Sequence, residues 1–366
     1  MRCRKHTILP SPIGRGAGGE GAKGIIFFMT RICITPAVGG LGGMTSFRLK
    51  FEAGLQARGI EVTHDLSQPA DSILLIAGTR NLLPLWQARQ RGVRVVQRLD
   101  GINWVHRKRN TGLNHYLRAE YGNFILSFIR KRIATKIIYQ SRFSKNWWDD
   151  WYGIPQASST TIHNGVDLNV YSVGPDAILR YPPYRLLIVE GSFGGGYDMG
   201  LDNAIHLAEI LTTKHNLPIE LTVVGHIGDE HKAQVRSRAR IPINWMGAVP
   251  RERIPEIDRS THLFFSSDLN PACPNSVIEA LACGLPVVAF DTGALNELVL
   301  NDSGRLVPYG GDAWKIEQPD VPSLANAAAE ILQKQAHFSK NARAQAESAL
   351  GIEQMTDRYL SFLLED

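Results

Sequence analysis

The segment from Phe264 to Val299, FFSSDLNPACPNSVIEALACGLPVVAFDTGALNELV, constrains the fold more than any other part of the chain. A short apolar run leads into a loop crowded with Asp, Asn and Pro, then into a stretch from Asn275 to Ala282 with helical spacing. A Gly-Leu-Pro break follows, then a second apolar run, PVVAF, and a loop that enters another helix near Asn296. Strand, helix, strand with a loop at each carboxyl end is the unit of a parallel sheet, and such sheets bind ligands in the crevice outside those ends. Asp268 to Asn275 and Asp291 to Ala294 are therefore expected to face one ligand. Glu279, in the first turns of the helix, is placed to offer its carboxylate to sugar or ribose hydroxyls.

The same alternation runs through most of the chain. RICITPA reads as a strand, Val38 to Gly43 as a glycine-rich loop and Thr45 to Arg58 as a helix. Further strands are expected at Ile60 to Thr63, Ser72 to Ala77, Val93 to Arg98, Ile137 to Tyr139 and Ser158 to Asp167. A linker rich in proline, LNVYSVGPDAILRYPPYR, separates these from a second series that begins with a strand at Arg185 to Glu190 and the glycine loop GSFGGGYDMG. With 366 residues, 44% of them hydrophobic, the chain can bury two cores. The expected architecture is α/β, with two Rossmann-like doubly wound domains facing across a cleft. Boundaries are expected at 29–178 and 179–350, with a helix over 351–366. Residues 1–28 are Gly-, Pro- and Arg-rich without periodicity and are expected to be disordered and non-native, with the true start at Met29.

Several function classes are excluded or left open by composition. The formal charge of +5 is mild, and with no recognition motif and no long Lys/Arg block nucleic acid is not an expected partner. Cys3, Cys33, Cys273 and Cys283 form no metal-ligand spacing and read as reduced, mostly buried thiols in a cytoplasmic protein. No apolar run approaches the ~20 residues of a membrane span. Gly40, Gly42 and Gly43 either form a plain turn or let the backbone approach a ligand, but GGLGG lacks the dinucleotide-binding spacing. Asp100, before Gly101, is either a turn residue or a carboxylate that orients a substrate hydroxyl or holds His106. The helix from Tyr116 to Ala134 mixes Phe124, Ile125, Phe128 and Ile129 with Arg130, Lys131 and Arg132; it is either a core helix with a solvated basic end or a contact with an anionic membrane. The three tryptophans of SRFSKNWWDDWYG suit either packing or a sugar or polyprenyl acceptor.

TIHNGVDLNVYS together with SVIEALACGLPVVAFDTGALNELV, and VVGHIG and NWMGAVPRERIPEI between them, resembles glycosyltransferase family 4, the retaining transferases of GT-B fold. The similarity covers nearly all of the chain from Met29 onward. It implies a nucleotide-sugar donor bound mainly by the second domain and a glycan or lipid-linked acceptor held mainly by the first. It also implies hexosyl transfer that needs no metal and no cofactor beyond that co-substrate. Cell-surface polysaccharide biosynthesis in the cytoplasm, at the inner face of the cytoplasmic membrane, is what the family suggests. A degenerate, non-catalytic nucleotide-sugar-binding protein and a GT-B epimerase or phosphorylase are the alternatives on the same fold.

Carried over residue by residue, the resemblance makes Glu279 the second glutamate of the family's paired motif, which binds the ribose. Pro271 stands where the first glutamate belongs, and Asp268 and Asn270 are the nearest polar substitutes. The Arg and Lys that hold the donor diphosphate are replaced by Ser192 and Met199. Gly194, Gly195 and Gly196 between them are expected to supply backbone N–H groups instead. The donor site is thus expected to comprise Gly191, Ser192, Gly194, Gly195, Gly196, Gly225, Asn270, Cys273, Pro274, Asn275, Ser276 and Glu279, with Glu279, Asp100 and Asp268 nearest the chemistry. Gly40, Gly42, Gly43, Asp100, Ser141 and Asn164 are expected on the acceptor side of the cleft.

Overall fold

The computed structural model describes residues 30–37, 39, 42–174, 182–193 and 199–365. Residues 1–28, Met29, Gly40 and the run Gly194, Gly195 and Gly196 lie outside them, so what the sequence suggests there has no structural counterpart. The first lobe contains β1 (Arg31–Thr35), α1 (Gly43–Ala57), β2 (Glu61–Thr63), β3 (Ser72–Ile76), α2 (Leu82–Gln90), β4 (Arg94–Leu99), α3 (Leu113–Arg132), β5 (Lys136–Tyr139), α4 (Arg142–Tyr152) and β6 (Ser158–Thr161). Its strands lie in the order β2-β1-β3-β4-β5-β6 and all pair in parallel. The second lobe starts with β7 (Tyr184–Ser192), α5 (Met199–Lys214), β8 (Ile219–His226), α6 (Asp229–Arg238), β9 (Ile243–Gly247) and α7 (Ile254–Arg259). It continues with β10 (Leu263–Ser266), α8 (Asn275–Ala282), β11 (Val287–Phe290), α9 (Leu295–Leu298), β12 (Gly304–Val307), α10 (Val321–Gln333) and α11 (Gln335–Ala349). Here the order is β12-β11-β10-β7-β8-β9, again parallel. A final helix, α12 (Ile352–Leu364), follows.

Strands such as SILLI in β3 and VVAF in β11 are buried along their whole length, because helices cover both faces of each parallel sheet. Each lobe therefore carries a hydrophobic core on either side of its sheet. Chain order reverses between β1 and β3 in the first sheet and between β7 and β10 in the second, so each lobe opens a crevice at the carboxyl ends of those strands. α12 belongs to the first core although it follows the second lobe in sequence. Its Tyr359 ring packs 5.2 Å from Phe47 and 5.1 Å from Phe51 of α1. Helices α1 and α12 approach so closely that a Cβ at Gly54 would lie 2.7 Å from Thr356 Oγ1.

Candidate active site

Two helix amino ends, one from each lobe, meet in the cleft. α1 begins after Gly42 and α8 after Pro274; neither has a side-chain cap or an acidic residue in its first turn. A Cβ at Gly43 would lie 3.5 Å from Asn275 Nδ2, so the two ends are neighbours. Uncapped N–H groups and the positive ends of two helix dipoles converge there, which favours an anion. One or two turns further along, Lys50 Nζ of α1 donates to Glu279 Oε1 of α8 at 3.0 Å, and Glu279 is 7% exposed. The Lys50 ammonium also lies 5.5 Å from the centre of the Tyr171 ring. Behind Glu279, burial and then the Glu279 charge push Asp258 well above the usual carboxylate range.

The second lobe's crevice is formed by the ends of β7 and β10. Ser267 Oγ donates to Glu190 Oε1 at 2.7 Å, and burial together with Asp268 pushes Glu190 up to about 8. Asp268 is open to water yet ringed by protein, which pushes it up to about 6. Gly191 and Ser192 are exposed at the end of β7. Gly225 has a steric reason to be glycine: its φ is 144° and a Cβ would lie 2.1 Å from the Glu190 carbonyl oxygen. Asn270 adopts a left-handed conformation with φ 55°, and its buried Nδ2 has no partner among the described residues. Pro271 is buried against Gly293, whose φ is 61° and whose added Cβ would come within 2.4 Å of the proline nitrogen. The Ala294 N–H closes this contact with a 2.8 Å bond to the Pro271 carbonyl. Ser276 is half-buried in the first turn of α8.

Of four residues expected in the cleft, Asn164 and Cys273 bracket the two lobes, while Ser141 and Asp100 are tied up within the first. Ser141 is fully buried and caps α4, accepting from the Ser144 N–H at 3.0 Å. Asn164, 5% exposed, donates from Nδ2 to the Cys273 carbonyl at 3.0 Å and accepts at Oδ1 from Arg98 at 2.7 Å. Cys273 accepts the Asn164 N–H at its sulfur, and burial pushes its thiol up to about 12, so it is no nucleophile. Asp100 uses its backbone carbonyl to accept from Ser144 Oγ at 2.8 Å and Trp148 Nε1 at 2.7 Å, while burial raises its carboxyl. His106, considered above as its partner, bonds Glu120 at 2.7 Å instead.

Four residues that the sequence reading missed complete the site. Lys50 and Glu190 are described above. Glu297 of α9 reaches across to accept from the N–H groups of Arg142 and Phe143 at 2.9 and 2.8 Å, and lies 3.2 Å from His163. Burial opposes the Glu297 charge, but these donors prevail and hold it at about 2. Trp314 of the second lobe inserts between Trp104 and Trp147 of the first, with ring centres 5.1 and 4.9 Å away. Lys50, Glu297 and Trp314 each act on the opposite lobe, and Glu190 acts on the neighbouring strand end of its own lobe, relations that only the fold creates. Among the described residues no group of three or more His, Cys, Asp or Glu is placed to hold a metal ion.

Residues 196–348 match the family described as glycosyl transferases group 1. No curated protein matches the sequence. Solved structures share the architecture over nearly the whole chain. Sucrose-phosphate synthase from Thermosynechococcus elongatus superposes with a TM-score of 0.68 at 16% identity, covering 91% of this chain and 98% of that one. HepE of Anabaena, solved with UDP and glucose, gives 0.66 at 16% identity over 91% and 99%. A glycosyltransferase from Rickettsia africae gives 0.61 at 14% identity over 92% and 98%. At such identities the likeness speaks for the fold, and the sequence match speaks for the second lobe. The chain is a two-lobed protein of GT-B fold whose second lobe carries the signature of the group 1 glycosyl transferases.

Proposed function

We propose that this protein transfers a hexose from a nucleotide sugar to a glycan or lipid-linked acceptor, with retention and without a metal, in cell-surface polysaccharide biosynthesis. The observation that carries the reading is Glu279, inside the family-matched segment, one turn behind the point where the uncapped ends of α1 and α8 converge. In this reading Glu279 binds the ribose and the two helix ends receive the diphosphate. The diphosphate is the leaving group, and each preorganised donor aimed at its developing charge is worth ~3 kcal/mol of transition-state stabilisation. The acceptor hydroxyl attacks from the face the diphosphate leaves. The bond between C1 and the phosphate oxygen breaks, and that oxygen takes the acceptor's proton, so no side-chain base is required.

A second reading, a non-catalytic nucleotide-sugar binder, is favoured by one specific observation. Pro271, in place of the sugar-binding glutamate, is locked against Gly293, while Glu190 and Asp268 bring carboxyl groups to the crevice where the family uses Arg and Lys. Calorimetry with UDP, GDP, ADP and their common sugars, on the wild type and Glu279→Ala, tests both. Saturable binding of one nucleotide sugar, weakened at least tenfold by the substitution and accompanied by transfer of labelled sugar to acceptor glycans or lipids, is expected. Binding without transfer supports the second reading. Failure of a folded protein to bind any of them overturns both.

A further inference from the structure

Helix α3 carries an apolar stripe on its exposed face as well as on its buried one. Its inner face buries Ala119, Asn123, Ser127, Ile129 and Arg130 and packs Ile125 and Leu126 against the core, with Arg130 bonded inward to Tyr139 and Asp149. The opposite face carries Leu113, Leu117, Tyr121, Phe124 and Phe128, of which Leu113, Leu117 and Phe124 are 72%, 57% and 61% exposed. From Leu117 onward the spacing is four, three and four residues, so these side chains form one stripe along a helix about 30 Å long. An ordinary surface helix presents polar residues there. The neighbouring α2 extends the patch, since its Trp86 is half exposed and Arg80, just before it, lies over the Tyr121 ring.

Charge says what this face is for. Between Arg80 and Arg132 the chain carries twelve Lys or Arg residues, opposed only by Asp100 and Glu120. The whole chain is only +5, so the remainder is net acidic; Arg98 and Arg130 of this stretch are buried, but most of its other cations are exposed. Arg80, Arg118, Lys131 and Arg132 are all exposed. Glu120 is already paired with Arg107 and His106. A second copy of the chain placed face to face would oppose two strongly positive surfaces, so self-association through this stripe is disfavoured. No described helix is long and apolar enough to cross a membrane. An aromatic and leucine stripe flanked by Lys and Arg is the chemistry of a helix lying in the headgroup layer of an anionic bilayer.

We infer that the outer face of α3, extended by Trp86 of α2, docks the first lobe on an anionic lipid bilayer. The inference rests on these two helices and is independent of the transfer chemistry proposed above. The test is co-sedimentation of the full chain with vesicles of phosphatidylglycerol and phosphatidylcholine, against vesicles of phosphatidylcholine alone. Wild-type protein is expected to bind the anionic vesicles and to be released by raised salt. Leu117→Ser with Phe124→Ser, and separately Lys131→Glu with Arg132→Glu, are each expected to weaken binding roughly tenfold or more. All four side chains are exposed, so thermal transitions should stay at the wild-type temperature. The inference is overturned if the wild type ignores anionic vesicles or if the variants bind as the wild type does. It is likewise overturned if the serine variant only dissolves a dimer seen without lipid.

Discussion

The ion pair between Lys50 and Glu279 links the lobes through the residue on which the functional reading depends, and its strength can be worked from the structure. The two side chains are only 16% and 10% exposed at a separation of 3.0 Å. Unit charges with centres ~4 Å apart attract by roughly 4 kcal/mol at an effective dielectric of 20. Dehydrating both groups offsets much of that, so replacing the pair together by neutral side chains should cost little. Breaking it from one side is different. Lys50→Met leaves Glu279 beside Asp258 with no cation, an arrangement expected to cost about 3 kcal/mol. Glu279→Gln, which leaves the ammonium unpaired, should cost about 2 kcal/mol. A double-mutant cycle measured by urea unfolding should then show a coupling of about 4 kcal/mol, leaving the double variant only about 1 kcal/mol less stable than the wild type. Additivity within about 0.5 kcal/mol would refute the reasoning, because it would mean that the lobes in solution do not hold these two groups together.

Glu190 gives a pH signature. Its carboxyl stays protonated up to about 8. As pH rises through that value a negative charge appears beside the crevice, so nucleotide-sugar affinity measured calorimetrically should fall from pH 6.5 to pH 9, and Glu190→Gln should flatten the profile. Glu297 has the opposite sign. Held at about 2 against an ordinary carboxylate value near 4.5, it stabilises the fold fully above the latter and loses that contribution as pH falls towards 2. Glu297→Ala is expected to cost about 2 kcal/mol at neutral pH by leaving the first two N–H groups of α4 without an acceptor, with thermal transitions of wild type and variant converging in acid. Gly293→Ala should lower the thermal transition by several degrees, since it combines a left-handed φ of 61° with a collision against Pro271.

The alternating units were legible because parallel strands covered on both faces are near-continuous apolar runs, as in VVAF of β11. α6 escaped notice for the converse reason. DEHKAQVRSR buries only Val235, so it has no apolar period to read, and its helical state rests on packing at one residue and on local propensity. α4 was hidden within a tryptophan-rich stretch whose spacing suits packing and ligand contact equally. At the site, the rim loops could be located from strand ends, but which of their residues face the cleft could not. Asn164 and Ser141 sit in turn and cap positions that read as solvent-facing, yet the second lobe covers them with Cys273 and Glu297. Lys50 looks like an ordinary surface lysine of an amphipathic helix until α8 is placed against it.

Helix α12 gives the chain an unusual order of assembly. The first lobe keeps Tyr359 as the partner of the Arg98 side chain and as the third ring of the cluster with Phe47 and Phe51. A ribosome finishes β6 long before it reaches this helix; the intervening stretch of roughly 200 residues takes on the order of 10–40 s to synthesise. During that interval the first lobe is a sheet with an open hydrophobic side and a buried arginine still without its phenol, while the second lobe has everything it needs to close. The lobe made first is therefore the lobe finished last. A lesion in α12 should be felt not in its sequence neighbour but in the half of the molecule born earliest.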